Sequence, residues 1–174
     1  MLYFVRHGQS QANLNKTFAG SQVDSPLTEK GREQARETVQ SIISSGIKFD
    51  KIITSPLSRA YETATLIREN SDNNIDISID DRLIEIDFGD ISGESYTNND
   101  EIDFSIVNNR EPAKSIHHRV SSFLDQWNDT DKNILIVSHG FVLKMIYAIQ
   151  NNINPDDFYD LSDCNNGELI CIQK

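Results

Sequence analysis

Three consecutive residues near the start of the chain could do phosphate chemistry. Arg6, His7 and Gly8 directly follow the apolar run at residues 2–5. A neutral imidazole nitrogen is a competent nucleophile toward phosphorus, and a guanidinium offers a permanent planar charge that suits phosphate. Glycine lets backbone N–H groups approach an anion closely. The alternative for His7 is a hydrogen-bonded histidine at a strand end.

A second histidine–glycine pair strengthens the catalytic interpretation. Ser138, His139 and Gly140 follow another buried, β-branched run at residues 134–137. His139 therefore occupies the same position after its strand as His7 does after the first.

Arg59 is the third candidate for holding an anion. Ser55 and Pro56 match a helix N-cap followed by proline at the first helical position, which puts Arg59 in the first helical turn. A helix N-terminus favours anions, so a cation there is misplaced unless it holds one. The alternative is an exposed arginine paired with Glu62 or Asp81.

Two carboxylates compete for the role of proton donor. Glu85 and Asp87 lie in a largely apolar stretch that could keep a carboxyl group partly dry. Burial would raise its pKa and suit it to protonating a leaving oxygen. The residues alone do not decide between the two.

The elements that must position these residues alternate between strand and helix. Apolar patterns predict strands at 2–5, 52–54, 75–79, 134–137 and, as a closing edge strand, 169–172. Helical spacing predicts helices over 28–45 (with Thr28 as N-cap), 57–67, 116–127 and 142–149. This order is typical of a three-layer α/β/α sandwich around a mostly parallel sheet. Ligands of such sheets bind outside the carboxyl ends of the strands. We expect three segments to converge there: residues 6–8, 54–56 and 138–140.

Composition limits the classes of function. The 174 residues suit one domain over residues 1–174, and the net charge of -11 argues against nucleic-acid or anionic-membrane partners. The first apolar run is too short for a signal peptide or a membrane span. The two cysteines lack metal or redox spacing, so we expect a reduced cytoplasmic protein. The oligomeric state stays open.

Other polar clusters are weaker candidates. Adjacent helical residues such as His117 and His118 point in different directions, which makes a metal pair unattractive. The acidic run Asp100, Glu101, Asp103 lacks the ligand spacing and glycine turn of a calcium loop. We therefore expect no metal and no cofactor.

In order along the chain, four blocks resemble the histidine phosphatase superfamily, the phosphoglycerate-mutase-like proteins. The blocks are Arg6-His7-Gly8-Gln9-Ser10-x-x-Asn13 with Phe18-Ala19-Gly20 and Asp24-Ser25-Pro26-Leu27-Thr28-x-x-Gly31; Thr54-Ser55-Pro56-Leu57-Ser58-Arg59-Ala60; Leu83-Ile84-Glu85 with Phe88-Gly89 and Gly93; and Ser138-His139-Gly140. Together they cover most of the chain.

The resemblance implies a role for each residue. His7 would form a phosphohistidine, Glu85 would protonate the leaving alcohol and then activate water, and Asp87 would not take this role. The remaining catalytic residues, Arg6, Arg59 and His139, would surround the phosphate oxygens. The phosphate-binding residues would be Gly8, Gln9, Ser10, Asn13, Ala19, Gly20 and Gly140.

The resemblance leaves the reaction open between a phosphatase and a mutase. A mutase must bind a second acidic group and exclude water, which calls for a basic covering insertion. Mutase-like members typically continue after the residue that matches Glu85 with arginine-histidine-tyrosine-glycine. Here the lid-like segment at about 94–115 is short and acidic, and Ile86-Asp87-Phe88-Gly89 follows Glu85. These departures favour a metal-independent phosphatase of small-molecule phosphomonoesters. The alternative is a cofactor-dependent mutase, and a third hypothesis is an inactive phospho-ligand binder.

Three further features bear on the substrate. Gln9 and Lys114 stand where many members have glutamate, which bears on specificity more than on the core chemistry. The acidic segment predicts a monophosphate on a neutral or cationic body, such as a sugar, a nucleoside or an α-ribazole-like group, and disfavours bisphosphates.

Overall fold

A computed structural model describes residues 1–71, 75–97 and 103–172, which build a five-stranded sheet. The strands are β1 (Leu2–Arg6), β2 (Lys51–Thr54), β3 (Ile77–Ile79), β4 (Ile134–Ser138) and β5 (Leu169–Ile172). Their order is β3-β2-β4-β1-β5; the first four are parallel, and β5 runs antiparallel to β1. The sequence prediction of a mostly parallel sheet with 169–172 at an edge is confirmed.

Helices cover both faces of this sheet. They are α1 (Gln11–Leu14), α2 (Glu29–Ser45), α3 (Ser58–Asn70), α4 (Ala113–Trp127) and α5 (Gly140–Gln150). In β4, Ile134 and Ile136 pack into the core with α4 and α5, while Leu135 and Val137 pack into the core with α2 and α3. Because alternate residues of a strand point to opposite faces, this arrangement is the predicted three-layer sandwich. No helix in the described ranges is long and apolar enough to cross a membrane.

Two boundary predictions are wrong. The third strand begins at Ile77, so Ile75 precedes it, and α3 begins at Ser58 rather than at Pro56. The Asp24 carboxylate accepts hydrogen bonds from the backbone N–H (3.0 Å) and hydroxyl (2.7 Å) of Ser58 and so serves the helix start. Ser55 is therefore not the N-cap: the helix begins after Leu57, whose N–H donates to the Ser55 hydroxyl. The predicted cap of α2 is confirmed, since the Thr28 side chain accepts from the N–H of Gly31.

The chain after β1 is pressed against the start of α2. A Cβ added to Gly31 would lie 2.1 Å from the Gln9 carbonyl oxygen, and one added to Gly8 would lie 2.2 Å from the Gly31 carbonyl oxygen. Only glycine at both positions allows this approach. The contact fixes the segment that carries His7.

We expect Gly31→Ala to destabilise the fold by about 2 kcal/mol or more, because backbone atoms rather than a flexible side chain must move. Urea unfolding of the variant against wild type measures this loss. Lys30→Ala, at the exposed neighbouring position of the same helix, is the matched control. Equal midpoints for Gly31→Ala and wild type would show that the segment yields freely.

Candidate active site

A cavity of about 290 Å³ opens where β1 ends and α5 begins. Arg6 and His7 reach it from the end of β1, Arg59 from the first turn of α3, and Glu85 from the connection after β3. This is the carboxyl edge of the parallel strands, where the sequence places the site.

His7 is a fixed, neutral nucleophile candidate. Its side chain is buried, and Nδ1 lies 2.7 Å from the carbonyl oxygen of Gly8. Because that carbonyl can only accept, Nδ1 carries the proton and Nε2 keeps its lone pair. Burial, and then the charges of Arg59 and Arg6, hold the pKa of His7 well below its ordinary value of 6.5. The imidazole is therefore uncharged at neutral pH.

Arg59 lies directly against this nitrogen. Its Nε donates to Nε2 of His7 at 3.3 Å, while its terminal nitrogens donate to the carbonyl oxygens of Gly20 (2.9 Å) and Val23 (3.3 Å). The residue is only 2% exposed. The alternative of an exposed arginine paired with Glu62 is wrong, because Glu62 pairs with Arg32 instead.

The guanidinium of Arg6 is held by a hydrogen bond at one nitrogen and has a second nitrogen that can bind a ligand. Its NH1 donates to the carbonyl oxygen of Cys164 at 2.6 Å. Its Nε is buried and, among the described residues, has no hydrogen-bond partner. Gly140 packs beside this guanidinium, and an added Cβ would lie 3.5 Å from its central carbon, an ordinary van der Waals distance. A buried donor without a partner is expected to meet a ligand.

His139 packs edge-on to His7, with 5.0 Å between ring centroids, and is fully buried. Its Nε2 lies 2.7 Å from the hydroxyl of Ser55, which also accepts from the backbone N–H of Leu57. The hydroxyl can thus donate to Nε2, which leaves the ring proton on Nδ1. That Nδ1 is buried and has no hydrogen-bond partner among the described residues. His139 does not itself line the cavity described above; it stands behind His7.

The pKa of His139 is also well below its ordinary value, because of burial first and then the nearby cations, Arg59 foremost. Both site histidines are therefore neutral, and the positive charge of the site comes from arginine. Neutral imidazoles can donate or accept one proton each, whereas the guanidiniums stay charged.

Glu85 and Asp87 differ in surroundings. Glu85 is buried and lines the cavity, and Oε1 accepts from the backbone N–H of Ile86 at 3.0 Å. Burial raises its pKa, against the opposing effects of that hydrogen bond and of the nearby arginines. Asp87 lies outside the lining and accepts from Gln22 and from the N–H of Gly89. The geometry thus favours Glu85 over Asp87 as the proton donor, a choice that the residues alone do not make.

Most of the predicted phosphate-binding residues line the cavity, and two do not. Ser10, Asn13, Ala19, Gly20 and Gly140 are part of the lining. Gly8 is not: its N–H donates to Thr63 (3.1 Å), and its face is closed by Gly31. The N–H of Gln9 donates to Gln34, and its side-chain oxygen accepts from Thr28. Both residues hold the loop in this structure, and their expected role in cradling phosphate stays a prediction.

The chain is similar to known proteins along its whole described length. The family model of the histidine phosphatase superfamily (branch 1) matches residues 2–173. The chain belongs to this superfamily. The 2,3-bisphosphoglycerate-dependent phosphoglycerate mutase of Parvibaculum lavamentivorans is 45% identical over 94 residues, covering 53% of this chain and 44% of the mutase.

Two further relatives of this superfamily member match along most of its length. Putative phosphoserine phosphatase 2 of Hydrogenobacter thermophilus is 31% identical over 179 residues, 95% of this chain and 86% of that protein. The crystal structure of a putative alpha-ribazole-5'-P phosphatase from Escherichia coli is 28% identical, covers 97% of this chain and 87% of its own, and has a TM-score of 0.78. Phosphatases and mutases are both among the similar proteins.

The sequence reasoning missed the aromatic residues that form much of the remaining lining of this superfamily member's cavity. They are Phe18, Phe88, Tyr96, Phe104, Phe141 and Tyr159. The helical pattern of the sequence gives no sign that Phe141 faces a binding site. The other five rings come from distant parts of the chain, and only the fold brings them to the cavity. Lys144 was also missed, although a single lysine in the apolar helix α5 was a usable signal.

The segment at 94–115 contributes rings rather than acids to the described lining. Glu94 and Asp103 are exposed and lie outside it, whereas Tyr96 and Phe104 belong to it. Asp100 and Glu101 lie outside the described residues. The carboxylates of Glu94 and Asp103 therefore give the cavity no acidic wall, and the substrate expectation stays a prediction.

No group of three or more histidine, cysteine or acidic side chains in the described ranges could hold a metal ion. His117 is half-buried with Nδ1 3.4 Å from the Ser121 hydroxyl, and His118 is exposed. The two side chains thus differ in environment, as expected for adjacent helical positions.

Proposed function

We propose that the chain hydrolyses small-molecule phosphomonoesters through a covalent phosphohistidine at Nε2 of His7, with Glu85 as proton donor. One observation carries this proposal: the Nδ1 proton of buried His7 is held by a carbonyl, which aims the Nε2 lone pair toward Arg59 at a cavity wall. A nucleophile, a charge clamp and a carboxyl group with a raised pKa then meet at one cavity.

In the first step, Nε2 of His7 attacks phosphorus as the bond to the ester oxygen breaks. The departing oxygen takes the proton of Glu85, whose raised pKa keeps that proton available. Arg59 and Arg6 stabilise the charge on the phosphoryl oxygens, and the Nε of Arg6, which has no partner among the described residues, is a donor that these oxygens satisfy.

In the second step, the Glu85 carboxylate takes a proton from water, and the water oxygen attacks the phosphohistidine. The N–P bond breaks, the electron pair returns to Nε2, and Glu85 is protonated again. The sum is ester plus water giving alcohol plus phosphate, so both groups return to their starting state.

A phosphatase is favoured over a mutase by what the 94–115 segment presents to the cavity. A mutase must bind a second acidic group and exclude water. The basic residues of the segment do not line the cavity: Arg110 donates to the Tyr159 hydroxyl at 2.7 Å, and Lys114 is exposed. An inactive binder is disfavoured because Glu85, needed for turnover rather than for binding, stands at the cavity with its pKa raised.

Hydrolysis of p-nitrophenyl phosphate with excess chelator tests the proposal. We expect one phosphate per p-nitrophenol and an unchanged rate after chelation, because arginines supply the positive charge. In a second assay, 3-phosphoglycerate with catalytic 2,3-bisphosphoglycerate should give no 2-phosphoglycerate. Activity lost on chelation would overturn the metal-independent mechanism, and rapid isomerisation would identify a mutase.

A further inference from the structure

Six aromatic side chains form an interlocked wall in the cavity. Phe104 stacks on Tyr159 with 4.9 Å between centroids, and Phe88 meets Phe141 edge-on at 5.4 Å. Phe18 contacts Tyr96 at 4.6 Å and also reaches Phe88 at 5.2 Å. Because offset and edge-on contacts fix ring positions, this aromatic wall offers a preformed surface for a planar group.

One cation, Lys144, is set among these rings. Its side chain is 8% exposed, and Nζ lies 3.0 Å from Oδ1 of Asp163, 3.1 Å from the Tyr159 carbonyl oxygen and 4.9 Å from the centre of the Phe141 ring. Asp163 is itself 70% exposed. The buried ammonium is thus neutralised by a carboxylate at the surface that also lines the cavity.

The charges of the lining then divide into two sets. Among the described lining residues the cations are Arg6, Arg59 and Lys144, and the carboxylates are Glu85 and Asp163. Two arginines match the double negative charge of a phosphomonoester, while Lys144 and Asp163 cancel each other. A second acidic group on the leaving alcohol would meet the Asp163 carboxylate instead of a free cation.

We propose that Asp163 determines specificity: by occupying Lys144 it restricts the site to phosphomonoesters whose leaving group is an uncharged planar ring, and it rejects leaving groups that carry a second acid. This proposal rests on the proposed phosphatase function and names its substrate class. Repulsion of a wrong ligand is a common source of specificity. Asp163 is a specificity residue and takes no part in the chemical steps.

The test compares phenyl phosphate with its 3-carboxyphenyl and 4-carboxyphenyl analogues, which differ only by the second acid. For wild type we expect kcat/KM to favour phenyl phosphate. In Asp163→Asn that preference should fall about tenfold or more for at least one isomer, because Lys144 becomes free to pair with the carboxylate. Intrinsic differences between the esters cancel when the preference is compared between variants.

Two variants serve as controls. Asp160→Asn removes an exposed carboxylate outside the lining and should leave the preference unchanged. Lys144→Met combined with Asp163→Asn should show no gain for the carboxyphenyl esters, since the cation is absent. An Asp163→Asn variant with wild-type preference for both isomers, or an equal shift in Asp160→Asn, would overturn the proposal.

Binding separates this proposal from the proposed function. Calorimetry with phenylphosphonate and the two carboxyphenylphosphonates measures the same preference without turnover. If folded wild type hydrolyses none of the esters, the phosphatase function fails. The phosphonate affinities of wild type and Asp163→Asn still decide the role of Asp163: a shifted preference supports it and an unchanged one overturns it.

Discussion

Replacing His7 by alanine is expected to lower kcat for p-nitrophenyl phosphate by at least about 10³-fold, because it removes the atom that receives the phosphoryl group. Wild type quenched during turnover should carry phosphate that is stable in alkali and labile in acid, as a phosphoramidate is. The variant should carry none. Labelling with radioactive phosphate from the ester, followed by alkaline gel separation, measures both.

The matched control is His118→Ala, an exposed histidine on α4 that should keep full activity and labelling. Since His7 is buried, His7→Gln is a second variant that retains more of the side-chain volume and a nitrogen near the Gly8 carbonyl. A folded His7→Gln enzyme that is labelled like wild type would move the nucleophile to another residue.

The low pKa of His7 also sets the acid side of the pH profile. The nucleophile is lost when Nε2 is protonated, so kcat/KM falls as pH decreases through the pKa of the folded enzyme. Burial and the adjacent arginines place that pKa well below 6.5. Activity should therefore persist below the pH at which an ordinary histidine titrates.

The strand ends of the site could be predicted because local patterns determine them. The apolar runs before Arg6 and Ser138 are short and bounded by polar residues, so strand and loop were separable in the sequence. Parallel pairing then brings His7 and His139 together, since β1 and β4 are direct neighbours in the sheet. Rules of sheet architecture, rather than details of packing, place them at one edge.

The parts that sequence could not supply depend on contacts far apart in the chain. Ser55 matches an N-cap, but its hydroxyl contacts His139, and the N–H of Ser58 at the helix start donates to the carboxylate of Asp24, which a local pattern cannot reveal. Gly8 was expected to cradle phosphate, whereas its lack of a side chain is required by Gly31. In both cases the local pattern suggests one role, whereas a contact with a residue far away in the sequence determines the role that the structure shows.

The two arginines of the site help to keep its histidines neutral. Arg6 and Arg59 lower the pKa of both imidazoles, so the same cations that attract phosphate keep His7 nucleophilic. The same arginines lower the pKa of Glu85, but the larger effect of burial raises it. Burial thus lowers the pKa of the base, His7, and raises the pKa of the acid, Glu85.

Glu85→Gln is expected to lower kcat for benzyl phosphate by about 10²- to 10³-fold, because an alkoxide cannot leave without a proton. With p-nitrophenyl phosphate the first step should be nearly normal, since p-nitrophenolate leaves unprotonated. The second step should be slow, because no carboxylate activates water. Rapid-mixing kinetics should thus show a full burst of p-nitrophenol followed by slow turnover and accumulated phosphoenzyme.

Asp87→Asn is the control, and its ratio of rates for the two esters should equal that of wild type. Loss of the burst in Glu85→Gln would contradict the assignment of Glu85 as the proton donor. The alkaline side of the wild-type kcat profile should lie above the ordinary glutamate pKa of 4.5, since the acid works only while protonated.

The same raised pKa predicts the sign of a stability change. The folded state holds the Glu85 proton more tightly than the unfolded chain, so the free energy of unfolding falls as pH rises from about 4.5 through the pKa of the folded enzyme. At pH 8 a buried carboxylate opposes folding, and Glu85→Gln should melt at a higher temperature than wild type. Below the unfolded pKa both side chains are neutral, and the two melting temperatures should converge. A variant that gains stability while losing turnover would show that burying this carboxyl group serves catalysis and lowers the stability of the fold.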